Sequence, residues 1–181
     1  MAVFQTIRKL FVPPSAAEPA FIVPAAATTY KVRLLTSAHL EEVMRLNLRC
    51  FRNGENYTKH TFSYLLSAPG TLSYRTVTAD GEMAGFAFVM INDNGSAHLT
   101  TIGVAPEHRR RGIAVRLLAH IETSLKAKGI ETVVLEVRVG NTDAQELYRA
   151  SDYTIVQRIA NYYNNGEDCY LMMKSLSVAN V

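Results

Sequence analysis

The sequence predicts an α/β (α+β) fold, a single mixed and mostly antiparallel twisted sheet of about seven strands with helices on both faces. In the middle of the chain, strand-like segments are punctuated by Asp80-Gly81 and Asp93-Asn94-Gly95, turn residues that bring successive strands back as an antiparallel meander. After Pro106 the hydrophobic period changes from two to 3.6. Residues 132–139 are then apolar at nearly every position, as a strand inside a sheet should be, and another helical pattern follows them.

The first thirty or so residues differ from the rest, because Pro13, Pro14, Pro19 and Pro24 interrupt an alanine-rich stretch; they read as an extended arm or linker. Residues 31–35 form a short strand, and Thr36 or Ser37 caps a helix with the apolar stripe Leu40, Val43, Met44, Leu46 and Phe51. A second helix begins after Thr58, presents Phe62, Leu65 and Leu66, and ends at Pro69-Gly70. Strands over 72–79 and 83–91 make a hairpin in which Asp80-Gly81 suits a tight primed turn, and 97–104 is the next strand. Ile113, Ala114, Leu117, Leu118, Ile121 and Leu125 share one face of a helix that stops at Gly129. Within the strand over 132–139, Glu136 falls on the face opposite Val133, Leu135 and Val137. Asn141 caps a helix carrying Ala144, Leu147 and Tyr148, and strands near 153–159 and 169–173 close the order β-α-α-β-β-β-α-β-α-β-β. The expected organisation is an arm over 1–29, one domain over 30–175 and a short tail over 176–181.

At 181 residues with 48% hydrophobic and 19% charged residues, the chain suits one domain with an ordinary core. Cys50 and Cys169 form no C-x-x-C pair, which points to a reducing compartment, and the five histidines show no H-x-x-x-H spacing, so no metal is expected. A net charge of +3 with interspersed acids does not describe a nucleic-acid binder. No apolar run approaches the roughly 20 residues that span a bilayer, and Glu18 and Pro24 disfavour a signal peptide; a cytoplasmic protein is expected.

The chemistry concentrates in 101–114, Thr-Ile-Gly-Val-Ala-Pro-Glu-His-Arg-Arg-Arg-Gly-Ile-Ala, which leaves a strand through a basic turn into an amphipathic helix. The first amides of a helix lack acceptors and the helix dipole favours negative charge there, so this entry, with Gly112 and the cations Arg109, Arg110 and Arg111, is an anion site. Neither a P-loop nor a G-x-G-x-x-G fingerprint is present.

Arg109-x-x-Gly112-x-Ala114, preceded by Ile102-Gly103-Val104-x-Pro106, resembles the acetyl-CoA signature [Q/R]-x-x-G-x-[G/A] of the GNAT N-acetyltransferase superfamily. Leu135-Glu136-Val137-Arg138, Asn141, Leu147-Tyr148, Asn161-Tyr162-Tyr163 and Gly166-Glu167-Asp168 extend the resemblance to protein N-terminal acetyltransferases of the ribosomal-protein-alanine (RimI) type. The resemblance implies the GNAT fold over 30–174 and acetyl-CoA as cosubstrate, held by the turn at Arg109, Arg110, Arg111, Gly112, Ile113 and Ala114. It implies a strand bulge near Ile102-Gly103 that offers an amide to the thioester carbonyl, with Val104 beside it. It further implies Glu136 as base, through water, Tyr148 as acid beside the sulfur, Asn141 as a pantetheine or water contact, and Tyr162 and Tyr163 as acceptor contacts. Glu167 and Asp168 lie where a carboxylate could attract the acceptor's ammonium form. Two departures fall in this chain: Arg149-Ala-Ser-Asp152-Tyr153 replaces the family's x-x-x-G-F, and Phe51-Arg-Asn-Gly-Glu-Asn-Tyr57 replaces a segment of F-P-W character.

The expected activity is transfer of an acetyl group to a primary amine, with a peptide or protein N-terminus first. A small-amine or amino-acid acetyltransferase and a non-catalytic acyl-CoA-binding regulatory module are the alternatives. Retention of both Glu136 and Tyr148 speaks against the last, since a sensor needs neither acid nor base. Neither nucleic acid nor a membrane is an expected partner, and a homodimer stays open.

Overall fold

The computed structural model describes residues 22–51 and 56–177, together with the backbone of Phe11–Val12. Seven strands, β1 (Tyr30–Leu34), β2 (Thr71–Thr78), β3 (Met83–Ile91), β4 (Ala97–Val104), β5 (Thr132–Arg138), β6 (Thr154–Ile159) and β7 (Cys169–Ser175), form one sheet in the order β1-β2-β3-β4-β5-β7-β6. Every neighbouring pair is antiparallel except β4–β5, which is parallel. Four helices, α1 (Leu40–Cys50), α2 (Lys59–Ser67), α3 (Ile113–Lys126) and α4 (Thr142–Ala150), complete the expected order. Phe11–Val12 adds a two-residue antiparallel pairing with Asn56–Tyr57.

The sheet divides the core in two. On one face, Ile113, Leu117, Leu118, Ile121 and Leu125 of α3 and Tyr148 of α4 pack with Val133, Leu135 and Val137 of β5. On the other, Val43, Leu46, Phe62 and Leu65 from α1 and α2 pack against Phe86 and Phe88 of β3. Because side chains alternate along a strand, β3 is buried on both faces over most of its length, whereas β5 shows the strict alternation that leaves Glu136 opposite Leu135 and Val137.

The parallel pairing of β4 with β5 is short: only Ala97 with Val133 and His98 with Val134 are in register, and beyond His98 the two strands part. The edge of β4 that faces β5 is left without a strand partner from Leu99 onward, while its other edge stays paired to β3 as far as Val104.

Two local expectations are corrected. The Asp80-Gly81 turn is not primed, because a primed turn with two left-handed residues would need Asp80 at positive φ and only Gly81 has it (φ +87). Instead the Gly81 amide donates to Thr78 O at 3.1 Å, closing a turn with glycine at its last position. The β4 bulge falls at Thr100, since Phe88 pairs with Thr101 and Val89 with Leu99, and not at Ile102-Gly103. Gly103 has another reason: a Cβ there would sit 2.7 and 2.8 Å from two ring carbons of the fully buried Phe86 and 3.1 Å from Cys50 Sγ. At the helix stop after α4, Asp152 takes the left-handed conformation (φ +65) at the position where the resemblance leads one to expect glycine.

Gly103→Ala should therefore overpack the interface between β4 and the α1 face and lower stability by about 1–3 kcal/mol. A urea midpoint equal to that of the parent would show that Phe86 yields without cost.

Candidate active site

The entry into α3 has the features of an anion cradle. Gly112, the residue before the helix, is left-handed (φ +72), no side chain caps the helix start, and no acidic residue lies in its first turn. The dipole and the unpaired amides at the start of α3 are therefore uncompensated. A Cβ on Gly112 would meet nothing within 4 Å, so the space above the turn is open.

The three arginines behave differently from one another. Arg109 reaches back to Cys50 O (3.3 Å) and Val104 O (3.4 Å), bracing the end of α1. Arg111 donates to Ala26 O (2.8 Å), to Tyr30 Oη (3.0 Å) and to Ala25 O. Arg110, exposed and left-handed (φ +60), makes no hydrogen bond or ion pair among the described residues. Two of the three cations thus hold the turn in place, and backbone amides are its principal free donors. Asn141 is the cap of α4, its side chain accepting from the Ala144 amide at 3.1 Å.

Where β4 and β5 part, the site's buried polar pair appears. His98 Nε2 and Glu136 Oε2 are 2.6 Å apart, with side chains only 4% and 8% exposed. The partner of Glu136 is thus a histidine on the parallel strand; Arg138, the neighbour two residues on, pairs with Glu167 instead. Glu136 Oε1 is buried and has no hydrogen-bond partner among the described residues, so this oxygen can accept a further proton donor. Sequence spacing could not single out His98, because its link to Glu136 runs through strand register: His98 lies beside Val134, two residues from Glu136 on the same face.

Tyr57 is a second residue missed. It follows the segment 52–55, outside the described residues, and its hydroxyl donates to Thr100 O at 3.0 Å, the carbonyl of the bulged residue. Burial pushes its phenol well above the ordinary range, and Glu136 and Tyr162 add to the effect, which puts Tyr57, Glu136 and Tyr162 in one electrostatic neighbourhood.

Tyr162 is half-buried and stands edge-to-face with the buried Tyr163 at 5.0 Å between ring centroids. Arg138 lies over the Tyr163 ring at 3.8 Å. The two carboxylates of this loop are engaged in folding it. Glu167 accepts from the Gly140 amide (2.8 Å) and from Arg138; burial works to raise its pKa, but these donors outweigh it and hold the carboxyl below the usual range. The Asn161 amide and then Arg158 lower that of Asp168. Neither offers a free carboxylate to an incoming ammonium, contrary to the expectation from sequence.

Tyr148 lies on the opposite face of the sheet from Glu136, 7% exposed, packed against Tyr153 at 5.8 Å between ring centroids. Burial holds its phenol well above the ordinary range, so it is neutral at any physiological pH. Cys50, raised by burial to about 11, and Cys169, raised by burial to about 12, are poor thiolates and so poor nucleophiles.

A strand that leaves its parallel neighbour, an uncapped turn at its end and a buried acid–histidine pair in the gap make up the candidate site. Residues 40–153 match the model of the acetyltransferase (GNAT) family, and the chain belongs to that family; it is an N-acetyltransferase. It is 31% identical over 162 residues to an N-alpha-acetyltransferase of Sulfolobus acidocaldarius, covering 81% of this chain and 93% of the relative. It is 34% identical over 105 residues to a [ribosomal protein bS18]-alanine N-acetyltransferase of Salmonella typhimurium, covering 56% of this chain and 70% of the relative. Among solved structures, the ribosomal-protein-S18-alanine N-acetyltransferase of Escherichia coli superposes with a TM-score of 0.75 at 27% identity, covering 84% of this chain and 99% of that one. Among the described residues, no helix is long and apolar enough to cross a membrane.

Truncating one member of a buried hydrogen-bonded pair leaves the other unsatisfied, at a cost of about 1–3 kcal/mol. His98→Ala should show that loss in chemical denaturation. The double variant His98→Phe/Glu136→Leu should recover stability and remain inactive, whereas recovered activity would remove the pair from the chemistry.

Proposed function

We propose that this N-acetyltransferase modifies the α-amine of a peptide or protein N-terminus, in the cytoplasm. The observation that carries the reading is the buried Glu136–His98 pair in the gap between β4 and β5, with Tyr57 and Tyr162 around it. The substrates named for the relatives above, N-terminal α-amines and the alanine of a ribosomal protein, support the same choice.

The residues present fit acetyl-CoA: uncapped amides at the start of α3, the exposed Arg110 and the open space over Gly112 suit a pyrophosphate. Bound there, acetyl-CoA supplies a thioester whose carbonyl carbon an amine attacks as the C–S bond breaks. At the unpartnered edge of β4, the amides of Ile102 and Val104 offer donors to negative charge developing on the carbonyl oxygen, whereas Gly103 faces β3 in step with Ala105, whose amide donates to Ala84 O.

Glu136, oriented by His98, accepts the proton lost by the attacking amine, through water. Tyr148 serves the other face of the sheet. Because burial keeps its phenol neutral and a thiol titrates near 8.5, full proton transfer from Tyr148 to a departing thiolate is uphill. Its contribution is a donated hydrogen bond that grows as charge reaches the sulfur. Attack from the Glu136 face and departure toward the Tyr148 face put base and donor on opposite sides of one gap. A regulatory module that only sensed acyl-CoA would need neither group.

Positioned proton transfer or donation contributes roughly 10²–10⁴-fold, so Tyr148→Phe should lower kcat by about that factor and leave acetyl-CoA affinity nearly intact. Gly112→Val should weaken acetyl-CoA binding in calorimetry, because a branched residue disfavours left-handed φ and its side chain would enter the open space. Glu136→Gln should lose most activity near neutrality and regain part of it as rising pH deprotonates the amine. In competition, short peptides with a small first residue should exceed free amino acids and polyamines in kcat/KM. A free amine better by tenfold would instead make this a small-amine enzyme.

A further inference from the structure

We propose that Arg111 is a positioning residue of the cofactor turn, acting through a strap formed by residues 22–30, which lead into β1 at Tyr30 and lie outside the residues that match the family model. The inference rests on the reading of this turn as the acetyl-CoA site.

The turn carries a conformational burden. Arg110 and Gly112 both adopt left-handed φ, at +60° and +72°, and a side-chain-bearing residue does not stay there unless its surroundings hold it. The surroundings are supplied by the strap. The Ala25 amide donates to Glu107 O at 2.9 Å, and the Arg111 guanidinium returns the contact by donating to the carbonyls of Ala25 and Ala26. The same guanidinium donates to Tyr30 Oη at 3.0 Å. Thr28 Oγ1 accepts from the Ala79 amide at 3.3 Å, which fastens the strap to the β2–β3 turn as well.

Proton positions along this chain can be assigned. A guanidinium only donates, so the Tyr30 oxygen accepts from Arg111 and its own O–H is free to donate to His108 Nδ1, 3.0 Å away. His108 is 2% exposed and meets the Tyr30 ring edge-to-face. With Nδ1 accepting, the neutral ring carries its proton on Nε2, which faces Glu82 at 3.9 Å. Glu107 is held by Arg49 of α1. Glu82, Glu107 and His108 thus form a group with metal-ligand chemistry, in which Tyr30 engages His108 Nδ1 and Arg49 engages Glu107, while His108 Nε2 is buried without a hydrogen-bond partner among the described residues.

The consequence is a division of labour within the arginine run. Arg111 spends its donors on three strap oxygens, so its effect on an anion is transmitted through the geometry of the turn. Loosening the strap should let Arg110 relax out of the left-handed region and misalign the amides at the start of α3.

The test is calorimetric titration of acetyl-CoA into the full chain and its variants. Arg111→Ala and Ala25→Pro, the second of which deletes the amide donor to Glu107 O, should each weaken binding about tenfold, toward the lower end of typical coupling between sites. The double variant should be no more than about twofold weaker than either alone, because both break one device. Arg111→Lys, which keeps a donor for the strap carbonyls, should recover part of the loss. In steady-state kinetics, Arg111→Ala should raise the acetyl-CoA KM more than the peptide KM, a split that general loss of stability would not produce. Should Ala25→Pro fail to fold, Tyr30→Phe takes its place in the cycle, since it removes the oxygen that joins Arg111 to His108. Wild-type affinity in the strap variants beside a large loss in Arg111→Ala would make Arg111 a direct anion contact and overturn the proposal; multiplying losses, or no loss in any of them, would do the same. Failure of the parent protein to bind acetyl-CoA, or undiminished binding by Gly112→Val, would instead sink the cofactor reading on which it rests.

Discussion

Two registered parallel pairs, Ala97 with Val133 and His98 with Val134, are all that join β4 to β5, and the rest of the site depends on that brevity. Had the ladder continued, the β5-facing edge of β4 would be saturated by strand hydrogen bonds. Because it stops, the amides of Ile102 and Val104 stand at an open edge while antiparallel pairing to β3 keeps the strand ordered. The bulge at Thr100 falls just beyond the last parallel pair, and Tyr57 takes up its carbonyl. A strand that must pair on one side and remain open on the other needs its irregularity at the point of separation, where β4 bends away from its neighbour.

The same geometry makes a buried carboxylate tolerable. Glu136 lies on a central strand whose alternate residues are core, where an unpaired charge would cost several kcal/mol. His98 lies beside it only while the strands are in register, so the pair forms at the last point where β4 and β5 touch. Its second oxygen has no donor among the described residues, a condition that a purely structural ion pair would be selected to avoid. The opposing pressures, partnered on one oxygen and open on the other, describe a group held for use.

Much of the architecture was legible because it rests on periodicity. The stripe from Ile113 to Leu125, the alternation around Glu136 and the stop signals at Gly70 and Gly129 each follow from local spacing, and element boundaries differ from expectation by a residue or two, except that the helix expected after Thr36 or Ser37 opens as a 3-10 turn over Ser37–His39 and α1 itself begins at Leu40. The strand, glycine and helix around 109–114 were legible for the same reason, since they are contiguous. What escaped is what register and long-range packing decide. His98 and Tyr57 reach the site from β4 and from the segment before α2, and no sequence interval links either to Glu136. Gly103 reads as a bulge glycine in one dimension and is a packing glycine in three, because Phe86 and Cys50 converge on it from other elements. Glu167 and Asp168 read as free acids until Gly140, Arg138, Asn161 and Arg158 are seen to hold them.

The arginine run exposes a general hazard in reading charge. Three consecutive cations at a helix entry suggest three charges aimed at one anion, yet a guanidinium has five donors and nearby carbonyls can take them up. At this turn the carbonyls of Cys50, Val104, Ala25 and Ala26 are the near acceptors, and Arg109 and Arg111 turn toward them. Their positive charge remains close to the turn, so some long-range attraction survives within a Debye length. Their directional bonding does not. On the proposed reading of this turn, discrimination of a pyrophosphate from any other anion would depend on the backbone amides, whose directions are set by the left-handed residues Arg110 and Gly112. Arg109 and Arg111 thereby brace the peptide chain around the turn, including Ala25 and Ala26 just ahead of the first strand of the sheet.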